Sequence, residues 1–514
     1  MSADAGVLGR WLAASVAALG AHRAHLDAIN VFPVADSDTG TNLWLTLSDG
    51  YQAVVDLPAG ADEEAVSRAF ARGALLGARG NSGVVVSQYV SGFLDAMMRA
   101  GGPATLDGAG LARSLAAASG AAYEALAAPV EGTIVTVAAA AARAAEDAAG
   151  EGKAPAAVAI AAATAARFAV RDTMEQLDVA REAGVVDAGA LGLSIVLDQM
   201  VAVLSGDDAL AALPAPSPHP VAEGERPERP RVHLDHDGGG IYEVMFVSGN
   251  TDPDGSTPDD APGAGWRELA AQLDRIGDSV AVTGIRGLVQ AHVHTDAPVE
   301  ALDIADTLGS SQILVRNIVA ARDRSPDLPG VVALTRSPGL AAALSDAGAI
   351  VVVIPSLAGL TQRELLRAVR DASGSAAVVV AGDPELRAAA ARLAEGRTAP
   401  TVEVLRVQHE AQLVAAVAAS VFVSDPAALT DAMAAAAEAC AAITTTADAL
   451  DDDVDALLSP ETELVTVIVP EGMSTSVADS VRLSAAAMCP EADVVVHEGR
   501  HTHGGIFIGV ESGA

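Results

Sequence analysis

Residues 26–47 read LDAINVFPVADSDTGTNLWLTL. Asp36 and Asp38 flank Ser37, and Thr39, Gly40, Thr41 and Asn42 follow before the apolar run Leu43–Leu47. Two carboxylates at i and i+2 on a loop can face one hard cation. Mg²⁺ takes oxygen ligands and usually only one or two protein carboxylates beside phosphate. Asn30, just upstream, is a candidate for a further amide oxygen. A turn followed by a helix cap would use the same residue types. The polar run, between apolar Ile29–Val34 and Leu43–Leu47, is longer than a turn requires.

The next signal outward is residues 73–88, GALLGARGNSGVVVSQ. Gly77, Gly80 and Gly83 recur every three residues, with Asn81 and Ser82 inside. Glycine permits close backbone approach, and N–H groups at a helix start bind phosphate. The spacing is not G-x-G-x-x-G, so a dinucleotide fold is not indicated. Glu131-Gly132-Thr133 and residues 185–192 (VVDAGALG) each precede a helical stretch. Thr133 and Asp187 are therefore either helix caps or site residues. Arg79, Arg143 and Arg181 are the nearby candidates for phosphate-facing cations.

Composition narrows the chemistry. The 514 residues carry 67 acidic and 31 basic side chains, a formal charge of −36. Phosphate-backbone binding needs a basic face, so nucleic acid is excluded as the main partner. Lys153 is the one lysine, and Ala154 follows it, so there is no Gly-Lys-Ser/Thr phosphate loop. Any bound phosphate must be neutralised by arginine, backbone N–H groups or a divalent metal. Two cysteines make no disulfide framework, which points to a reducing cytoplasm. No membrane-spanning run is expected.

The pattern along the chain predicts a multidomain architecture. Residues 1–208 read as an all-α bundle or helical barrel, rich in alanine. Residues 209–231 carry six prolines and read as a linker. Residues 232–325 read as a small α+β domain. Residues 326–514 alternate short apolar runs with helices, the pattern of an α/β domain with a parallel sheet. The acidic run Asp451–Asp455 reads as a solvated loop.

In order and spacing, NVFPVADSDTGTN, GARGNSG, EGTIVTV and GVVDAGALG resemble the nucleotide-binding domain of the dihydroxyacetone kinase L-subunit family. The fatty acid kinase A-subunit type is the more similar variant. The resemblance covers nearly the whole chain, extending to a middle domain over GDSVAVTGIRGLVQAHVHTDAP and a DegV-like C-terminal domain. It implies a helical barrel that binds ATP through two Mg²⁺ ions without a phosphate-loop lysine. Carried over by motif, Asp36 and Asp38 hold the metals and Asn30 sits where a further ligand would be. Thr39, Gly40, Thr41, Asn42, Gly80, Asn81, Ser82, Gly83, Thr133, Asp187 and Gly189 lie along the nucleotide. It further implies phosphorylation of a fatty acid carboxylate presented by a separate DegV-type lipid-binding protein, and a homodimer. The alternatives are a dihydroxyacetone kinase-like activity and a regulatory protein with a vestigial site.

The sequence departs from the family pattern in places. Ala35 stands for proline and Ser37 for glycine in the metal loop. In the middle domain the family has a zinc site of one cysteine and two histidines. His292 and His294 match the histidines, but an apolar residue near Ile241 stands at the cysteine's place, with His233 and His236 close by. The alternative for His292 and His294 is a hydrogen-bonded pair. His497, His501 and His503 read as a C-terminal turn.

Overall fold

The computed structural model describes residues 6–206, 240–249, 264–285, 287–325, 327–354, 361–372, 376–395, 401–502 and 504–512. The expected linker at 209–231, and His233, His236 and His503, lie outside them.

The N-terminal helices are α1 (Val7–Ala28), α2 (Thr39–Val55), α3 (Glu63–Leu76), α4 (Gly80–Arg99), α5 (Gly108–Glu124), α6 (Ile134–Gly150), α7 (Pro155–Gln176), α8 (Asp178–Ala183) and α9 (Ala188–Ser205). Their starts follow from local chemistry. Asp62 and Asp107 accept the N–H groups of Ala65 and Gly110, closing the first turns of α3 and α5. Pro155 opens α7, where its missing N–H costs nothing. Chain neighbours pack together and α9 returns against α1, so the ring of contacts closes. Small alanine faces on α5, α6 and α7 allow this close packing. Leu19, Leu26, Leu43 and Leu115 are buried, each contributing about 1.5–3 kcal/mol.

α9 is the one described helix long and apolar enough to cross a membrane, and 83% of it is buried inside the protein. The sequence reading missed it as an apolar run because Asp198 and Gln199 interrupt it. Asp198 is paired with Arg167 at 2.8 Å. Burial on every side of residues 188–202 marks α9 as the core helix of this unit.

The strands are β1 (Tyr242–Gly249), β2 (Gly277–Ile285), β3 (Leu288–Thr295), β4 (Ser311–Asn317), β5 (Gly330–Thr335), β6 (Ile350–Val353), β7 (Ala376–Ala381), β8 (Thr401–Val404), β9 (Ala441–Thr445), β10 (Thr462–Val469), β11 (Asp493–Glu498) and β12 (Ile506–Ser512). The chain divides into two compact units. The first holds α1–α9 with residues 279–292 of the β2–β3 hairpin; the second holds β1 and the chain from 293 onward.

Within the second unit the strand order runs β1-β4-β6-β5-β7-β8. β5 pairs in parallel with β6 and β7, and β7 with β8. β4 pairs antiparallel with β6, through Ile313 opposite Val353, and with β1. The expected break at 325/326 is therefore no break in the sheet: Met245 and Leu314 share one core with Val332, Leu334 and Val352. A second sheet, β11-β10-β12-β9, is parallel only between β10 and β11. The single parallel sheet expected for 326–514 is thus two mixed sheets. The acidic run is also not a loop. It lies in a helix, Leu450–Leu457, that buries Leu450 and Val454 and places Asp451, Asp452 and Asp453 in its first turn, where the helix dipole favours them.

Candidate functional site

The loop before α2 is held by Asn30. Its Oδ1 accepts the backbone N–H groups of Asp38 and Thr39, both at 3.1 Å, and its Nδ2 donates to the carbonyl of Val34 at 3.0 Å. Asn30 was expected as a metal ligand. Its amide oxygen is instead engaged by two N–H donors, so it shapes the loop that presents Asp36 and Asp38. Both of those aspartates are half-buried. Ser37, between them, has φ 59°. That left-handed conformation suits glycine best, which explains the family's choice there.

Asp38 stands at the N-cap of α2 but makes no side-chain cap. Asp27, near the end of α1, caps α2 from outside: its two oxygens accept the N–H and hydroxyl of Thr41 at 2.8 and 2.7 Å. Burial pushes the Asp27 carboxyl up, and the Asp38 charge adds to the shift while the Thr41 bonds oppose it. Gly40 allows this approach, because a Cβ there would overlap the Arg23 carbonyl and the Leu26 side chain. The sequence reading missed Asp27. It lies in the opening stretch, but its partner is fourteen residues away and no local pattern signals the bond.

The four motifs meet at helix starts. The hydroxyls of Thr39, in α2, and Ser82, in α4, lie 3.5 Å apart. A Cβ placed on Gly189, in α9, would lie 3.9 Å from the Ser82 hydroxyl and 3.6 Å from Cβ of Ile134, which opens α6. The first turns of α2, α4, α6 and α9 therefore converge. Each carries a partial positive charge. The starts of α4 and α6 have no side-chain cap, whereas Asn30 and Asp27 take the Thr39 and Thr41 N–H groups of α2 and Asp187 takes the Ala190 N–H of α9.

Individual residues divide between scaffold and site. Asp187 caps α9, accepting the Ala190 N–H at 2.7 Å; burial pushes its carboxyl up to about 7, against the Ala190 and Gly189 N–H groups. The Thr133 hydroxyl donates to the Val130 carbonyl at 2.7 Å. Asn42 is buried in α2, and Gly83 packs on Thr46. Asn81 carries a buried Oδ1 with no hydrogen-bond partner among the described residues. Gly80 has φ 54°, turning the chain into α4.

Arg79 and Arg181 are each paired with a carboxylate. Arg79 is buried, with Nη1 on Asp49 at 2.9 Å and on the Gly77 carbonyl at 2.6 Å. Arg181 pairs with Asp178, and Arg143 sits exposed midway along α6. A cavity of about 280 Å³ lined by Leu8, Trp11, Phe93, Met97 and Met200 is apolar and uses none of the four motifs.

On β3, His292 and His294 are buried. Within the second unit, His294 and Glu243 present an imidazole nitrogen and a carboxylate oxygen within 4.8 Å. Both are ligand types that zinc accepts. The residue facing His294 is thus Glu243, two positions beyond Ile241. Its carboxylate is also ion-paired with Arg316 of β4.

Residues 33–202 match the DAK2 domain. The chain carries a DAK2 domain. Residues 242–320 match the FakA-like middle domain, that of the fatty acid kinase A-subunit-like proteins. The two matched regions are those found together in FakA-like, DhaL-type proteins, which this chain resembles over them. An uncharacterized protein of Staphylococcus saprophyticus subsp. saprophyticus is 30% identical over 288 residues, 56% of this chain and 50% of its own. One from Staphylococcus aureus (strain USA300) is 31% identical over 276 residues, covering 53% and 48%. The chain spans about half the length of these curated relatives. The structure of dihydroxyacetone kinase from C. freundii in complex with AMP-PNP and Mg²⁺ is 18% identical, covers 38% of this chain and 34% of that one, and superposes with a TM-score of 0.30. The converging helix starts all fall inside the DAK2 domain.

Proposed function

We propose that this chain is an ATP- and Mg²⁺-dependent phosphotransferase that phosphorylates the carboxylate of a fatty acid presented by a separate DegV-type lipid-binding protein. The observation that carries the reading is the meeting of four helix starts beside the Asp36–Asp38 loop, in a chain with one lysine. The residues fit a nucleotide with divalent cation. Two half-buried carboxylates share a loop, and the buried Oδ1 of Asn81 has no partner among the described residues. Bound Mg²⁺ would neutralise charge across the phosphates.

The chain's own groups then have definite tasks. Asp36 and Asp38 hold the cation, two ions by the family pattern. N–H groups at the start of α4, with the Thr39 and Ser82 hydroxyls and the Asn81 amide, orient phosphate oxygens. The side-chain amide of Asn81 presents either its oxygen or its NH₂ by a flip. An acceptor carboxylate is already deprotonated. Its oxygen forms the new bond to the γ-phosphorus as the bond to the ADP oxygen breaks, and no residue has to take a proton. The fatty acid, its carrier, two Mg²⁺ ions, the helical-barrel and DegV-like descriptions of the units, a homodimer and a cytoplasmic setting rest on the sequence resemblance.

Titration of the full chain with ATP should show binding only with Mg²⁺, lost in Asp38→Ala. ADP release should require a fatty-acid-loaded DegV-type protein. Release only with a triose and a dihydroxyacetone-binding chain would replace the acceptor. Binding indifferent to Mg²⁺ would remove the metal assignment.

A further inference from the structure

The β2–β3 hairpin packs on the helical unit at the segment that leads into α4. Val282 N–H donates to the Ala125 carbonyl at 3.3 Å and Ala127 N–H to the Val280 carbonyl at 3.2 Å, a short antiparallel bridge centred on Leu126 and Ala281. Ala281, Ala125, Ala78 and Val84 form a small shared core. Within it, Nε2 of Gln290 on β3 donates to the carbonyl of Ala78 at 2.8 Å.

That carbonyl belongs to the Ala78–Arg79 peptide, whose N–H points the other way and donates to the Thr46 hydroxyl at 3.2 Å. A peptide unit is planar, so holding both its ends fixes its orientation. The next residues are Gly80, Asn81 and Ser82, the first turn of α4. The direction of their N–H groups follows from that peptide plane. Gln290 is fully buried, and its Oε1 has no partner among the described residues. A buried amide with one oxygen unmatched costs desolvation, and the donor it supplies to the buried Ala78 carbonyl offsets that cost. The amide is explained by the bond it makes.

We infer that Gln290 is a positioning residue for nucleotide binding: from the middle-domain hairpin it holds the Ala78–Arg79 peptide and so aims the start of α4 at the phosphates. The inference rests on the kinase reading above. It assigns to the middle domain a direct part in the nucleotide site.

The test measures Mg·ATP affinity, KM and kcat in the full chain, with thermal unfolding alongside. Gln290→Met keeps length and apolar packing while removing the donor; Gln290→Leu is the second version in case the first fails to fold. Loss of one neutral hydrogen bond at the loop predicts an affinity and KM for Mg·ATP weakened about three- to tenfold. The melting temperature should fall modestly, because the buried Ala78 carbonyl loses this donor, while the protein stays folded at the assay temperature, and kcat with a saturating nucleotide should change less than KM. Thr46→Val, which removes the other restraint on the same peptide, should weaken nucleotide binding too, and the double variant should lose less than the two changes combined. Wild-type protein that binds no Mg·ATP overturns the kinase reading and this inference with it. Wild-type protein that binds, beside Gln290 variants with unchanged affinity, overturns the positioning role alone. Affinity that falls only in step with the melting temperature assigns Gln290 to packing and also overturns the role.

Discussion

Asp27 performs at the start of α2 the capping that its neighbour in the loop, Asp38, leaves undone. The capping bonds of α2 thus depend on Asp27. Asp27→Ala should therefore destabilise the helical unit by about 1–2 kcal/mol, the usual cost of a lost cap, in urea unfolding. Asp27→Asn, which keeps one acceptor, should cost less; equal losses in both would mean the charge and not the bond matters. Ser37 makes the opposite prediction. Its φ of 59° costs a non-glycine residue roughly 1 kcal/mol, so Ser37→Gly should raise the unfolding midpoint by an amount of that order. At this scale the sequence was half legible. Asp36, Asp38, Ser82 and Gly189 announce themselves by type and spacing. Asn30 has the right chemistry for a ligand and is used for another purpose, because only the folded loop shows two N–H groups facing its oxygen.

Among elements, helix starts and buried parallel strands were readable, since their signals are local: apolar runs for β5, β6 and β7, and polar punctuation before α2 and α4. β4 and β9 carry Ser, Gln, Arg or Thr among few apolar residues, whereas β12 is an apolar run, IFIGV; all three are stabilised by distant partners. One consequence of that long-range assembly is Glu410, which opens a helix (Glu410–Ala419) and is buried against the end of β5. It accepts the Thr335 hydroxyl at 2.8 Å and the Arg336 N–H at 2.9 Å. Burial pushes its carboxyl up to about 7, with Asp383 adding to the shift and the hydrogen bonds and Arg336 opposing it. A folded-state value above the ordinary 4.5 means the folded protein holds this proton more tightly than the unfolded chain. The Glu410 contribution is therefore fully retained below about pH 4.5 and is lost as the pH rises through about 7, by at most about 3 kcal/mol. Unfolding free energies measured from pH 4.5 to 8 should fall more steeply in wild-type protein than in Glu410→Gln. Parallel curves would show that the carboxyl ionises without penalty.

For the whole molecule, the formal charge of −36 and the single lysine pose a problem that the site geometry answers locally. Helix starts attract phosphate only over the first turn, whereas the summed surface charge acts at the range of the screening length. An incoming Mg·ATP, itself anionic, meets repulsion at distance and attraction only on arrival. Salt should then act against the usual trend for nucleotide sites built on lysine. From about 0.01 M to about 0.1 M salt the screening length falls from about 30 Å to about 10 Å, which removes the long-range repulsion while sparing contacts at the helix starts. At fixed free Mg²⁺, the association rate for Mg·ATP should rise over that range with little change in the dissociation rate. An association rate that falls with added salt would mean that a local cluster of cations, and not the converging N–H groups, recruits the nucleotide, and the arginines now seen paired with Asp49, Asp178 and Asp198 would have to be freed to supply it.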